Sequence, residues 1–373
     1  MNTPSTATSA GTDHYRQRFA GQLANEHFRQ AQGRWLSSIG LGTYLGEPDE
    51  RTDVAYQQAV KRALELGCNV IDTAANYRFQ RSERSIGQAL AEVFAAGQFN
   101  REEIFITTKG GFVPFDGVPP RGQADFRRYL EETFVQPGIC DWDDFVQGQH
   151  CMAPKYLAHQ LDQSLRNLQL EAVDVYYVHN PESQLAEVRG EAFYARLRAA
   201  FEFLESAVAA GKIALYGTAT WNGYRVASNS PELLSLERVV QTAREVAGEQ
   251  HHCKVVQLPI NLAMLEALTD INQTLAGRRV TFLEAAAELG ITVMTSGSIL
   301  QSRLATGLPP IIAETFQGLR TDAQRAIQFV RSTPGVTTAL VGMSSMAHVE
   351  ENLAVAQLPP VLTTEYLKLF SSN

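Results

Sequence analysis

Several features that would narrow the class of this protein are scarce or absent in its sequence. The 373-residue chain has four cysteines, too few and too scattered (Cys68, Cys140, Cys151 and Cys253) for a disulfide framework. No apolar run approaches the roughly 18 residues that indicate a membrane-spanning helix. The first residues carry neither the positive charge nor the apolar segment of a signal peptide. We therefore expect a cytoplasmic protein with reduced thiols that does not insert into a membrane.

Charge of either sign is also sparse. Charged residues make up 19% of the sequence, the formal net charge is −8, and neither sign forms a long run. Without a basic block, binding to nucleic acid is disfavoured. Adjacent His251, His252 and Cys253 point in divergent directions with no fourth ligand placed, so no metal site is predicted. The apolar fraction of 45% is ample for a large core, which excludes a disordered chain.

What the sequence does contain is a repeated succession of amphipathic helix, glycine and short apolar strand. After the predicted helix 53–66, Gly67 precedes such a strand, and the predicted helix 192–210 is followed in the same way by Gly211. Glycine suits these positions because the residue after a helix often has positive φ. Further helices are predicted from the same 3.6-residue periodicity. They span residues 82–94, 154–169, 231–249, 280–289, 321–332 and 346–356.

Eight short apolar strands are predicted in total, at 39–44, 69–73, 103–108, 173–178, 212–217, 254–258, 291–295 and 337–341. Apolar strands that alternate with helices indicate a parallel sheet buried on both faces, and eight units favour a closed (β/α)8 TIM barrel, an α/β fold. The open Rossmann alternative requires G-x-G-x-x-G after the first strand, and Gly40-Leu41-Gly42 lacks the third glycine. We predict a partly disordered N-terminal tail over residues 1–35 and one barrel domain over 36–373.

Polar side chains stand at the carboxyl ends of these strands. They are Asp72, Lys109, His179, Thr218, Gln257 and Ser296. In a closed barrel the strand ends share one rim, where active sites of this fold form, so we expect the side chains to converge on one cleft. Tyr77 follows Asp72 closely in sequence, and a nearby lysine should lower its pKa from the usual value of about 10. Such a group suits proton delivery to a carbonyl oxygen while hydride reaches the carbon.

A long rim loop, residues 110–153, follows the third strand and is rich in proline and aromatic residues. A structureless loop of this length is uncommon, so we expect short helices that pack as a lid over a substrate pocket. A surface ornament or an oligomer contact is the alternative. Tyr44, Phe112, Trp221 and Asn222 are the predicted substrate contacts because they lie on or beside the rim.

Six segments of the chain, taken in order, resemble the aldo-keto reductase family over about residues 35–357. They lie at residues 40–43, 71–77, 82–87, 106–109, 175–181 and 341–353. The resemblance implies an oxidoreductase that uses NADPH or NADH to reduce an aldehyde or ketone or to oxidise a sugar-like alcohol, without a metal. It implies that Tyr77 is the general acid and base and that Lys109 tunes it. It further implies that Asp72 anchors Lys109 and that His179 orients the substrate.

The resemblance also implies where the cofactor binds. Gln257 matches the amide that binds the nicotinamide carboxamide, and the stretch after the seventh strand matches the loop that covers the pyrophosphate. The start of the last helix matches the adenosine end, where backbone amides suit phosphate. The full set of implied cofactor contacts is Gly42, Thr43, Thr220, Gln257, Ser296, Gly297, Ser298, Leu300, Ser302, Arg303, Ser344, His348, Glu351 and Asn352.

Three positions depart from the family pattern. Ala219-Thr220 stands in place of Ser-Asn after the fifth strand, and Thr295 replaces an aromatic residue that often stacks on nicotinamide. Met343, Ser345 and His348 stand where cations often surround the 2′-phosphate. Two alternatives therefore stay open, a redox-neutral elimination or epimerisation with retained nicotinamide cofactor and a non-catalytic nucleotide-binding barrel. The expected partner is a small-molecule carbonyl or sugar-like substrate, and the sequence indicates no oligomeric state.

Overall fold

A computed structural model of the protein describes residues 5–370. Its strands are β1 (Phe28–Ala31), β2 (Arg34–Ser37), β3 (Ile39–Gly42), β4 (Val70–Asp72), β5 (Phe105–Gly110), β6 (Val173–His179), β7 (Ile213–Ala219), β8 (Cys253–Pro259), β9 (Gln273–Leu275), β10 (Arg278–Val280), β11 (Thr292–Ser296) and β12 (Val336–Gly342). Its α-helices are α1 (Ser9–Gln17), α2 (Glu50–Glu65), α3 (Arg81–Ala95), α4 (Gly122–Leu130), α5 (Pro154–Leu168), α6 (Glu191–Ala209), α7 (Leu236–Ala247), α8 (Glu266–Thr269), α9 (Phe282–Glu288), α10 (Pro310–Thr315), α11 (Asp322–Ser332), α12 (Met346–Leu353) and α13 (Thr363–Leu367). Among these described residues, no helix is long and apolar enough to cross a membrane.

Eight parallel strands close into a barrel in the order β11-β12-β3-β4-β5-β6-β7-β8. This confirms the predicted (β/α)8 fold, and each strand lies within two residues of its predicted bounds. Close approach of β7 and β8 requires Gly217, since a Cβ there would lie 1.7 Å from the carbonyl oxygen of Val255. One apolar core lies between the barrel and its helices, and a second fills the barrel interior around Phe105 and Met294. Each such buried side chain stabilises the fold by roughly 1.5–3 kcal/mol.

The segment before the barrel folds against its amino end, although the sequence predicts a partly disordered tail up to residue 35. Helix α1 is capped by Thr8, whose side chain accepts from the Gly11 amide, and Tyr15 on α1 donates to the Leu64 carbonyl at 2.6 Å. Strands β1 and β2 form an antiparallel hairpin. Ala7 and Leu36 are buried in the interior core. Residues 5–37, the N-terminal plug, therefore close this end of the barrel; residues 1–4 of the predicted tail lie outside the described residues.

The predicted short helices are present in residues 110–153, which we call the insertion. Besides α4, it contains a π-turn at Glu131–Val135 and a 3₁₀ turn at Trp142–Asp144. Its aromatic side chains pack on one another, with the rings of Phe115 and Tyr129 5.4 Å apart, and form a small separate core together with Tyr156 of α5. Of the insertion, only Phe112 lines the rim cleft. The expected lid over a substrate pocket is therefore limited to Phe112, because the other aromatic rings of the insertion bury one another.

Local capping explains where helix bounds differ from the prediction. Helix α7 begins at Leu236 rather than at residue 231 because Ser235 is its N-cap and accepts from the Arg238 amide. Ser82 lies in the first turn of α3 and donates to the Thr43 carbonyl at 2.7 Å. That bond ties α3 to the end of β3. The hairpin of β9 and β10 was not predicted.

Candidate active site

The carboxyl ends of the barrel strands surround a cleft of about 450 Å³. Most of the side chains predicted for catalysis, cofactor and substrate meet there. The predicted residues that line it are Gly42, Thr43, Tyr44, Asp72, Tyr77, Phe112, His179, Thr220, Trp221, Gln257, Ser296, Gly297, Ser298, Leu300 and Ser302. Lys109 lies just beneath, bonded to Asp72.

A buried ion pair forms the floor of the cleft. Nζ of Lys109 lies 2.7 Å from Oδ2 of Asp72 and donates to the Thr73 carbonyl at 2.8 Å. The other carboxylate oxygen of Asp72 accepts from Thr107 and from the Gln257 amide, each at 2.7 Å. Burial alone would lower the pKa of Lys109, but the interactions with Asp72 and Tyr77 together outweigh burial, and the pKa is raised. Lys109 is therefore a fixed cation.

Tyr77 stands next to that cation. Nζ of Lys109 lies 4.9 Å from the centre of the Tyr77 ring. Burial raises the pKa of Tyr77 more than the charge and hydrogen bond of Lys109 lower it, so the pKa stays above its ordinary value. The expectation of a lowered pKa is therefore wrong for this arrangement, and the Tyr77 hydroxyl is held in its protonated form.

His179, at the end of β6, faces Tyr77 across the cleft. Their ring centroids are 6.0 Å apart, and the Phe112 ring contacts His179 edge-on at 5.1 Å. Burial, and then the charge of Lys109, hold the pKa of His179 well below its usual range. A neutral imidazole here can donate one hydrogen bond to a substrate oxygen without becoming charged.

The backbone after Tyr77 is left-handed over three residues, with φ of 49°, 56° and 69° at Arg78, Phe79 and Gln80. Such positions cost of order 1–3 kcal/mol each unless the surroundings enforce them. Arg78 enforces them here, because its buried guanidinium donates to the Glu47 carbonyl at 2.8 Å and to Asp53 at 2.7 Å. Arg78 was not predicted as a site residue; the one sequence feature that could have indicated it is its position directly after Tyr77.

The cleft has side chains that fit a nicotinamide cofactor. The Thr220 hydroxyl is buried and has no hydrogen-bond partner among the described residues. It can therefore bond a polar ligand group such as a carboxamide. The replacement of the family's Ser-Asn by Ala219-Thr220 does not prevent this contact. The amide of Gln257 is already engaged by Asp72, and the Ser298 hydroxyl donates to the Leu340 carbonyl at 2.8 Å. Thr295 is fully buried and does not line the cleft.

The loop after β11 borders the cleft in a strained conformation. Leu300, Gln301 and Ser302 are left-handed, with φ of 46°, 52° and 68°, and Gly297 also has positive φ. Strain of this kind clusters where a loop is shaped for a ligand. Together with Ser296 and Ser298, these residues form one wall of the cleft.

Five of the implied cofactor contacts lie outside the cleft. They are Arg303 of the loop after β11 and, toward the adenosine end, Ser344, His348, Glu351 and Asn352, none of which is among the cleft-lining residues. Ser345 rather than Ser344 caps α12, because its side chain accepts from the His348 amide. Arg278, which could have supplied charge, is paired with Glu288 at 2.6 Å. Within residues 5–370, the exposed guanidinium of Arg303 has no such partner.

Glu182 is a second residue that the sequence analysis missed. One of its carboxylate oxygens accepts the amides of Trp221, Asn222 and Gly223 at 2.8, 3.1 and 3.2 Å. This holds the turn that brings Trp221 to the cleft. Asn222, predicted as a substrate contact, does not line the cleft, because its side chain donates to Glu232 at 2.9 Å. No group of three or more His, Cys, Asp or Glu side chains in the described residues could hold a metal ion.

A closed parallel barrel with its polar cleft at the carboxyl rim defines the (β/α)8 class. Within that class, the model of the aldo/keto reductase family matches residues 38–242, more than half of the chain. The chain therefore belongs to the aldo/keto reductase family. The family resemblance and the enzyme class predicted from the sequence are confirmed at this level.

Curated relatives match only parts of the chain. Prostaglandin F synthase 1 from Bos taurus is 28% identical over 151 residues, which are 40% of this chain and 34% of the relative. NADP-dependent D-sorbitol-6-phosphate dehydrogenase from Malus domestica is 40% identical over 79 residues, which are 21% of this chain and 23% of the relative. The chain thus spans about a third or less of the length of these relatives.

Solved structures match almost the whole chain at low identity. An aldo/keto reductase from Klebsiella pneumoniae in complex with NADP and acetate has a TM-score of 0.59 at 24% identity, covering 93% of this chain and 94% of that one. The glycerol dehydrogenase from Gluconobacter oxydans has a TM-score of 0.61 at 21% identity, covering 93% and 94%. These matches support the fold.

Proposed function

We propose that this protein is an NAD(P)(H)-dependent oxidoreductase that reduces an aldehyde or ketone, or oxidises the corresponding alcohol. The observation that carries the proposal is that Tyr77, Lys109, Asp72 and His179 meet in one rim cleft that also holds the unpartnered Thr220 hydroxyl. A bound nicotinamide cofactor would supply or accept the hydride. The chain itself supplies the proton and the orientation of the substrate.

Tyr77 is the proposed proton donor in reduction. Its raised pKa keeps the hydroxyl protonated near neutral pH, ready to donate to a carbonyl oxygen. As the proton leaves, the ammonium of Lys109 stabilises the phenolate, and Asp72 holds that ammonium in place. In the oxidation direction, Tyr77 takes the proton back.

Neutral His179 is the proposed group that orients the carbonyl oxygen. It lines the cleft opposite Tyr77, so a carbonyl oxygen between the two rings could accept from both. Two donors on one oxygen fix its lone pairs and direct the carbon toward the cofactor wall of the cleft. This role requires the imidazole to remain uncharged, as its lowered pKa provides.

NADPH is the proposed cofactor, with NADH possible. The nicotinamide end would lie by Thr220 and Gln257, and the strained loop after β11 would cover the pyrophosphate. The adenosine end would extend past the cleft toward Ser344, His348, Glu351 and Asn352. Arg303, with no side-chain partner in the described residues, is the proposed contact for a 2′-phosphate. The NADP complex of the Klebsiella relative supports this choice.

An uncharged substrate fits the cleft best. Tyr44, Phe112 and Trp221 form apolar walls, and Asn76 and Asn180 supply polar amides. Among the described cleft-lining residues there is no lysine or arginine to pair with a phosphate or carboxylate. Although one relative is named for a sugar phosphate, we therefore propose a neutral aldehyde or ketone, or a neutral sugar-like alcohol. A cytoplasmic location stays a prediction.

The test is NADPH oxidation followed at 340 nm with benzaldehyde and with glyceraldehyde 3-phosphate. We expect turnover with the neutral aldehyde, and we expect Tyr77→Phe to abolish it. Tyr194→Phe, the same change on α6 outside the cleft, should leave it intact. Full turnover in Tyr77→Phe would refute the proposed catalytic roles of Tyr77, Lys109, Asp72 and His179. Product formation with no net change at 340 nm would favour a redox-neutral reaction, and nucleotide binding without any turnover would favour a non-catalytic barrel.

A further inference from the structure

One histidine of the insertion, His150, contacts the backbone of the candidate active site. Nε2 of His150 lies 2.6 Å from the main-chain carbonyl oxygen of His179. His150 is 1% exposed and lies near the end of the insertion. The insertion therefore contacts the backbone of the residue proposed to orient the substrate.

A chain of hydrogen bonds determines which nitrogen of His150 carries its proton. Nη1 of Arg196 donates to the side-chain oxygen Oε1 of Gln184 at 2.7 Å, which turns the side-chain amide nitrogen of Gln184 toward His150. That nitrogen lies 2.9 Å from Nδ1 of His150 and must donate to it. Nδ1 is then an acceptor, so Nε2 holds the proton and donates to His179. Burial lowers the pKa of His150 to about 4, which keeps the ring neutral.

The surroundings leave little freedom at this contact. A Cβ on Gly111 would lie 2.9 Å from both Nε2 of His150 and the His179 carbonyl oxygen, so only glycine leaves room for the bond. The Phe112 ring contacts the rings of His150 and His179 edge-on, at 5.1 Å each. Displacement of His150 would therefore move Phe112 and His179 together.

Arg196 also fixes the insertion to the barrel. From α6, its guanidinium donates to the carbonyl oxygen of Asp143 at 2.8 Å, in the 3₁₀ turn of the insertion. The same side chain orients Gln184, in the turn that follows β6. One arginine thus couples the insertion, the β6 exit and His150.

We propose that Arg196, Gln184 and His150 form a positioning relay through which the insertion sets the location of the His179 ring. The relay residues do not touch substrate; they act through His179. The kinetic part of this inference rests on the proposed function. The relay accounts for the insertion's place beside the cleft even though only Phe112 of the insertion lines it.

The kinetic test uses His150→Phe, which keeps an aromatic ring but removes the donor. We expect kcat for aldehyde reduction to fall about tenfold, equivalent to about 1.4 kcal/mol, with the Kd for NADPH unchanged. His150→Gln, which restores a donor near the Nε2 position, should recover most of the rate. The matched control is His159→Phe, since His159 packs on Phe134 in the same insertion core without touching His179.

A double-mutant cycle separates positioning from general destabilisation. In a His179→Gln background, His150→Phe should have little further effect on kcat, because the group it positions is gone. The relay would be overturned if His150→Phe lowered kcat by the same factor in the native protein and in His179→Gln. It would also be overturned if His150→Phe left kcat unchanged. Gln184→Leu, which leaves His150 in place, provides a second variant if His150→Phe does not fold.

Nitrogen-15 NMR of histidine-labelled protein tests the relay without any assay of activity. We expect the His150 signal to show a proton on Nε2 and an unprotonated Nδ1, and we expect Gln184→Leu to shift the Nδ1 signal. A proton on Nδ1 would overturn the relay even if the enzyme is active. If NMR shows the expected His150 tautomer but the protein does not reduce carbonyl compounds, only the proposed function is refuted.

Discussion

Gln257 donates a 2.7 Å hydrogen bond to Oδ1 of Asp72, so an amide on β8 supports a carboxylate on β4 across the mouth of the barrel. Thr107 donates to the same oxygen, and Lys109 holds the other one. The Asp72 carboxylate is therefore fully bonded to protein groups. The residue expected to hold the nicotinamide thus also stabilises the ion pair beneath Tyr77.

Gln257→Leu should weaken cofactor binding. It removes a cleft-lining amide and leaves one Asp72 bond unmade, and a net hydrogen bond is worth about 1 kcal/mol, so the Kd for NADPH should rise roughly 5- to 10-fold. Quenching of tryptophan fluorescence by NADPH measures this. Gln241→Leu on the exposed face of α7 is the control. Unchanged affinity in Gln257→Leu would show that the amide does not contact the cofactor.

Breaking the buried ion pair from one side should cost more stability than removing both charges. Asp72→Asn leaves the ammonium of Lys109, 1% exposed, without its counter-charge, and such losses run to about 3–5 kcal/mol. The double variant Asp72→Asn/Lys109→Met should lose less than Asp72→Asn alone. Urea unfolding measures the free energies. Strictly additive losses would contradict a coupled pair.

The rate of reduction should depend little on pH through the neutral range. The pKa of Tyr77 is raised, so its acid form persists, and the rate should fall only in strong alkali. The pKa of His179 is lowered well below 6.5, so no loss is expected as pH falls through that value. A pH profile of kcat/KM tests both. An inflection near pH 6.5 that disappears in His179→Gln would refute a neutral His179.

Acid should destabilise the fold partly through His27. Burial lowers its pKa to about 3 from the usual 6.5. Below about pH 6.5, His27 binds a proton in the unfolded chain but not in the folded protein. The free energy of unfolding therefore falls through His27 as the pH drops from about 6.5 to about 3. The difference in unfolding free energy between pH 7.5 and pH 5 should shrink in His27→Asn. His348→Asn, on the exposed surface of α12, should leave that difference as it is.

The barrel could be predicted because each of its strands is a short, mainly apolar run, and several of these runs follow closely after a glycine. Asp72, Lys109 and His179 could be placed on one rim because each terminates such a run. The state of Tyr77 could not be predicted, since its pKa reflects a balance of burial against Lys109 that depends on the folded cleft. The supporting role of Glu182 depends likewise on a turn that lies far away in sequence.

The insertion and the N-terminal segment show the limit of local pattern. Aromatic residues near a rim are equally consistent with the wall of a substrate pocket and with a small core. The contacts of Phe134 with the other rings of the insertion show that they form a core. Small polar residues before Tyr15 are typical of a tail. Helix α1 forms there because Tyr15 and Thr8 bond to the rest of the fold and to the helix start, which composition does not reveal.

The N-terminal plug has a practical consequence for anyone preparing the protein. A truncation that starts at residue 36 would delete Ala7, α1, strand β1 and the first half of β2. Interior side chains such as Phe105 and Met294 would then lose the cover that Ala7 gives them. An expression vector that keeps residues 1–37 and places any affinity tag at the C-terminus leaves the amino end of the barrel closed.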